Sequence, residues 1–166
     1  GLERAHPLDR LDWAAAWARR HPWAMVAAAS HPLLVDMAEA LGRATGGEVA
    51  LLLGTDKAAQ LVEPHWYDDP AAALERLDRA ASLLVAERAG HPALDLPLRA
   101  APLPTAAWVP ERSATQAREA AARGLPLDDL LPAAVAMGVE RTGAYTPGDA
   151  YLARIRELEA LTHGEG

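Results

Sequence analysis

The double glycine Gly46-Gly47 separates two hydrophobic patterns that no single element can hold. Before it, Leu33, Leu34, Met37, Ala38 and Leu41 recur at helical spacing and make one apolar face. Pro32 suits a first helical turn, where its missing N–H has no partner to lose. Asp36 and Glu39 lie off the apolar face, close to the positive helix start. Glycine ends such a helix because it takes the left-handed conformation at low cost. After it, Val49 to Leu53 is a continuous apolar run bounded by glycines, which suits a buried strand. Gly54-Thr55-Asp56-Lys57 then reads as a turn, and Gln60 to Glu63 as the returning strand of a hairpin.

The segment EALGRATGGEVALLL resembles the opening of a GAF-type ligand-sensing domain, with residues 32–63 covering the likeness. In that family too, a helix ending in Ala-Thr-Gly runs into the first strand of an antiparallel sheet. The resemblance implies a small-molecule sensor or regulatory module. It assigns no ligand residue, because the matching positions are structural.

The remaining chain adds helices. Pro7 to Arg20 carries Leu8, Leu11, Ala15 and Ala18 on one side, and Pro22 to Ala29 reads as a short second helix. Trp13, Trp17 and Trp23 fall in this region. They either pack these helices onto the sheet or form a dimer or partner surface, since tryptophan is enriched at interface centres. Ala71 to Ala89 reads as one long helix with a stripe of Leu74, Leu77, Ala81, Leu84 and Val85, stopped by Gly90. Glu75 and Arg79 stand one turn apart on its exposed side. Leu94, Leu96 and Leu98 alternate with Asp95, Pro97 and Arg99, the period of an edge strand. Thr105 to Val109 reads as a last strand with Trp108 inward. Ser113 caps a helix that stops at Gly124. Pro126 to Met137 is a further helix, kinked or divided by Pro132, and Thr146-Pro147 opens a terminal helix to Leu161.

The stretch ARGLPLDDLLPAAVAMG, Ala122 to Gly138, resembles a helical segment of purine-catabolism and sigma-factor-control type regulators. There a similar glycine–proline–acidic stretch opens a bundle helix. Its role is structural, so it implies no site residue. As a helix-turn-helix, the same region would turn Asp128 and Asp129 toward DNA, the wrong charge for phosphates and bases.

The expectation is therefore an α+β fold, with a small antiparallel sheet of three or four strands packed by several helices. One domain of 166 residues is expected: N-terminal helices over 1–30, an α/β core over 31–110, and C-terminal helices over 113–162. There is no cysteine, which excludes disulfides, thiolate catalysis and Cys-ligated zinc. The net charge of −7 argues against nucleic acid as a partner. No apolar run approaches the ~20 residues of a membrane span, and no secretory signal opens the chain. A cytoplasmic location is expected.

The segment richest in chemistry is Glu63-Pro64-His65-Trp66-Tyr67-Asp68-Asp69-Pro70. Trp66 and Tyr67 offer ring faces, and His65 and Asp68 offer hydrogen bonds. These four are the candidate ligand contacts. The plainer alternative makes Asp69-Pro70 a helix start and Trp66 a plug for the core. His6, His21, His31 and His91 all precede proline and mark element boundaries, not a metal site. No motif for a nucleotide, a metalloprotease or a serine nucleophile is present. Ser30 and Ser113 read as caps. The expected function is a regulatory or small-molecule-sensing domain without catalytic activity and with no assigned cofactor. The alternatives are a protein-interaction or self-assembly module, such as a homodimer, using Trp13, Trp17 and Trp23, and a metal-assisted enzyme acting through His65 and Asp68.

Overall fold

The computed structural model describes residues 4–31, 33–63, 66–91, 98–109 and 111–163. Where one domain over 1–166 is expected, the chain gathers into two compact units. Ala29–Glu111 forms one. Gly1–Ala28 and Arg112–Gly166 together form the other.

The first unit is α/β. Helix α1 (Pro7–Ala18) belongs elsewhere, so the unit opens on α2 (Leu34–Thr45). Gly46 ends α2 at φ 64, the left-handed position the double glycine predicts. Strand β1 (Ala50–Gly54) follows, as the apolar run predicts. The hairpin does not. Thr55–Ala59 is a short helix, α3, continued by a 3-10 turn at Gln60–Val62. Helix α4 (Pro70–Ala80) starts on Asp69, whose Oδ1 accepts from Ala72 N at 3.0 Å. The helix expected over 71–89 ends early, and Ser82–Ala86 is strand β2. A parallel strand covered by helices is a continuous apolar run, and so mimics part of a helical stripe.

The sheet is parallel, not antiparallel. Leu52 pairs with Leu84, and Leu84 with Ala101 of β3 (Ala100–Pro102), in the order β1-β2-β3. Parallel neighbours need a crossover, and α3 and α4 supply it between β1 and β2. A hairpin at residues 54–57 would have left no room for one. Pro102 sits on an edge strand, where its missing N–H is tolerated. Leu94, Leu96 and Pro97 lie outside the described residues. Thr105–Val109 forms no strand: Val109 N bonds back to Ala106 O at 2.9 Å, and Trp108 is exposed.

Val35 and Ala38 of α2, Leu77 of α4, Leu53 of β1 and Leu83 of β2 form this unit's core. Arg76 joins the two helices outside it. It donates to Asp36 Oδ1 at 2.8 Å and to both Glu39 oxygens at 3.0 and 2.9 Å. Asp36 and Glu39, placed off the apolar face by their spacing, thus serve α2–α4 packing. At the end of β1, the buried Thr55 hydroxyl donates to His91 O at 2.9 Å and accepts from Arg88 N at 3.0 Å.

The second unit is helical. It holds α1, α5 (Ala114–Ala122), α6 (Ala133–Thr142) and α7 (Ala150–His163). His6 caps α1, its Nδ1 accepting from Leu8 N. Ser113 and Gln116 close a reciprocal capping box at α5. Pro132 divides the segment expected as one helix: α6 starts after it, with the Pro132 carbonyl accepting from Val135 N and Ala136 N. No helix forms over Pro22–Ala29, where a single turn at His21–Ala24 is followed by irregular chain. A helix that short needs a packed face, and Trp23 and Met25 are exposed instead.

Two contacts tie α1 to its neighbours. Trp13 packs on Gly138 of α6 so closely that a Cβ there would lie 2.3 Å from Trp13 Cδ1. Asp9, 1% exposed, accepts from Tyr151 Oη at 2.9 Å and from Arg154 Nε and Nη2 at 3.1 and 2.5 Å. Tyr151 Oη in turn accepts from His6 N at 2.9 Å. Burial opposes the Asp9 charge, but the bonds from Arg154 and Tyr151 outweigh it and hold the carboxyl below its usual range. Burial and the neighbouring carboxylate push the Tyr151 hydroxyl up to about 12.

Gly138→Ala should lower stability by about 1–3 kcal/mol in urea unfolding, through overpacking against Trp13. An unchanged midpoint would contradict that contact. The lowered Asp9 pKa means its stabilisation is present above its unfolded value, about 4. It is lost as pH falls through the folded value below that. Asp9→Asn should therefore cost on the order of 2–3 kcal/mol at neutral pH and flatten the acid limb followed by circular dichroism.

Candidate functional site

The polar–aromatic loop can be followed from Trp66 onward, because His65 lies outside the described residues. Trp66 and Tyr67 both line a groove of about 160 Å³ in the α/β unit. Leu34 and Met37 of α2 form one wall, and Lys57 and Gln60 another. Lys57 Nζ stands 5.6 Å from the centre of the Trp66 ring, a cation–π distance, and donates to Gln60 Oε1 at 2.6 Å. Trp66 Nε1 donates to Glu63 Oε2 at 3.2 Å. Burial, with the negative charge of Asp36 behind it, raises the Tyr67 hydroxyl above its ordinary value. Asp68 is exposed and does not line the groove. The groove thus brings together two of the four expected residues and adds Lys57, which the sequence pattern places in a turn.

A larger pocket, about 260 Å³, lies in the helical unit. Its walls come from Trp13 and Ala14 of α1, Ala117 of α5, and Val135 and Val139 of α6. Tyr145 contributes from the turn after α6, at φ 69, a left-handed conformation uncommon for a side chain of this size. Its hydroxyl is fixed by a bond from Ala5 N at 3.2 Å. The two charged residues of the lining are Arg10 and Arg118. Neither pairs with a carboxylate among the described residues; Arg118 Nη2 donates to Thr115 Oγ1 at 3.0 Å. An apolar chamber with two guanidinium groups can hold an apolar body and orient a negative head.

Spacing along the chain does not reveal this pocket. Arg10 and Arg118 sit on helices separated by the whole α/β unit. The available signal was the small residues: Ala14, Ala114 and Ala117 leave space where α1 and α5 both line the pocket.

The tryptophans divide. Trp13 is 5% exposed and belongs to the core of the helical unit, with Ala120, Val139 and Tyr151, so it does not form the outer partner surface expected of it. Trp17 and His21 stack, with ring centres 4.1 Å apart, and Trp23 meets both edge-on at 5.5 and 5.6 Å. Trp23 is 77% exposed and Met25 90%.

Among the described residues no three His, Asp or Glu side chains are grouped to hold a metal ion. No described helix is long and apolar enough to cross a membrane. No protein-family model matches the chain, and no curated protein matches it in sequence.

Trp66→Ala should change stability by no more than about 1 kcal/mol in urea unfolding, since the ring is half-exposed and its cation–π contact is a surface one. A loss of several kcal/mol would make Trp66 a core plug.

Proposed function

We infer that the chain is a small-molecule-binding module whose ligand enters the pocket of the helical unit. The observation that carries this reading is a half-open, mainly apolar pocket of about 260 Å³ whose charged lining residues are two guanidiniums without carboxylate partners among the described residues. The pocket is half open to solvent, and its volume suffices for a small apolar body. The pocket's walls belong to α1, α5 and α6 and the turn after α6, so occupation would bias how these elements pack. In that role the ligand is a signal and the chain a regulatory domain. The resemblance of residues 32–63 to the opening of a GAF-type domain lies in the α/β unit, whose sheet is parallel, and does not bear on this pocket. The groove under Trp66 and Tyr67 is the second candidate, because it is lined by two of the residues expected to contact a ligand.

A second reading, self-association, is favoured by the exposed Trp23 and Met25 beside the Trp17–His21 stack. Trp23→Ala would then weaken a dimer seen by analytical ultracentrifugation.

Native mass spectrometry of freshly purified protein, compared with the same sample denatured, tests the ligand reading. The expected result is a mass excess lost on denaturation and absent from Ala14→Trp, which fills the pocket with its fold verified by circular dichroism. An excess retained by that variant would move the site elsewhere.

A further inference from the structure

We propose that the helical pocket binds an amphiphilic monocarboxylate, such as a medium-chain fatty acid, with its head between Arg10 and Arg118 and its chain against Val135, Val139 and Trp13. The proposal rests on the reading of this pocket as the ligand site and adds the chemical class. Three observations support it.

The first is the lining. Apart from the two arginines it is built of alanine, valine, leucine and aromatic side chains, which favour an apolar body over a sugar or a nucleotide. The second is the charge in that lining. The acids of α1 are already engaged: Asp9 with Arg154 and Tyr151, and Asp12 with Arg141 at 3.0 Å. Arg10 and Arg118 are left without a carboxylate among the described residues. A guanidinium presents paired N–H donors in a plane, the shape that a carboxylate accepts bidentately. The third is the distribution of charge along the chain. Acidic and basic residues nearly balance in the helical unit, so most of the net −7 belongs to the α/β unit. The helical unit, taken by itself, therefore adds little repulsion of its own to an approaching anion.

Isothermal titration of the full chain with octanoate, octanol and octyl phosphate tests the proposal, on wild type, Arg10→Gln and Arg118→Gln. Arg10 is exposed and Arg118 half-buried, so the variants should keep the wild-type circular dichroism. Octanoate should bind saturably, one per chain, and weaken roughly tenfold in each variant. Octanol should bind more weakly and be indifferent to either substitution. Added salt should weaken octanoate and not octanol.

If octanol binds as tightly as octanoate and neither substitution matters, the carboxylate class is wrong while the pocket remains a ligand site. If octyl phosphate binds more tightly than octanoate, the head group is a phosphate and the proposal is overturned. If none of the three binds, both the class and the reading of the pocket fail.

Discussion

The helical unit depends on the fit of Trp13 against Gly138. A glycine in the middle of a helix costs roughly 1 kcal/mol relative to alanine, yet here no other residue leaves room for the indole. The contact fixes α1 on α6, and the Asp9 network fixes α1 on α7. Trp13 Nε1 is buried without a hydrogen-bond partner among the described residues. That omission costs about 1–3 kcal/mol, which the apolar packing of the ring must offset. The same ring forms a wall of the pocket, so the device that holds the unit together also shapes its chamber.

The elements that were legible in the sequence are those whose determinants are local. Helix α2 and its end at Gly46 follow from spacing and from one glycine. The starts of α4 and α5 follow from Asp69-Pro70 and from Ser113. The break at Pro132 follows from a missing N–H. What was not legible depended on partners far along the chain. Ser82–Ala86 continues the apolar stripe of α4, and only its pairing with β1 makes it a strand. Thr55 looked like a turn residue because its partners, His91 and Arg88, lie more than thirty positions away.

The candidate site shows the same division. Trp66 and Tyr67 are neighbours in sequence and stay together in a groove, while Asp68 is exposed and does not line it. The pocket of the helical unit gathers Arg10, Ala117, Val139 and Tyr145 from both ends of the chain. No motif announces it, because its specificity comes from space left by alanines and from two guanidiniums kept out of ion pairs. The tryptophans of α1 divide in the same way: the buried Trp13 answers to a glycine on a distant helix, and Trp17 to a histidine one turn ahead.

Mapping octanoate onto the protein by amide chemical shifts tests the central claim most directly. Binding in the helical pocket predicts saturable shifts centred on Ala14, Ala117, Val135 and Val139, with Trp66 and Tyr67 unmoved. Shifts centred on Trp66 and Tyr67, with the helical residues silent, would contradict it and return the site to the groove of the α/β unit.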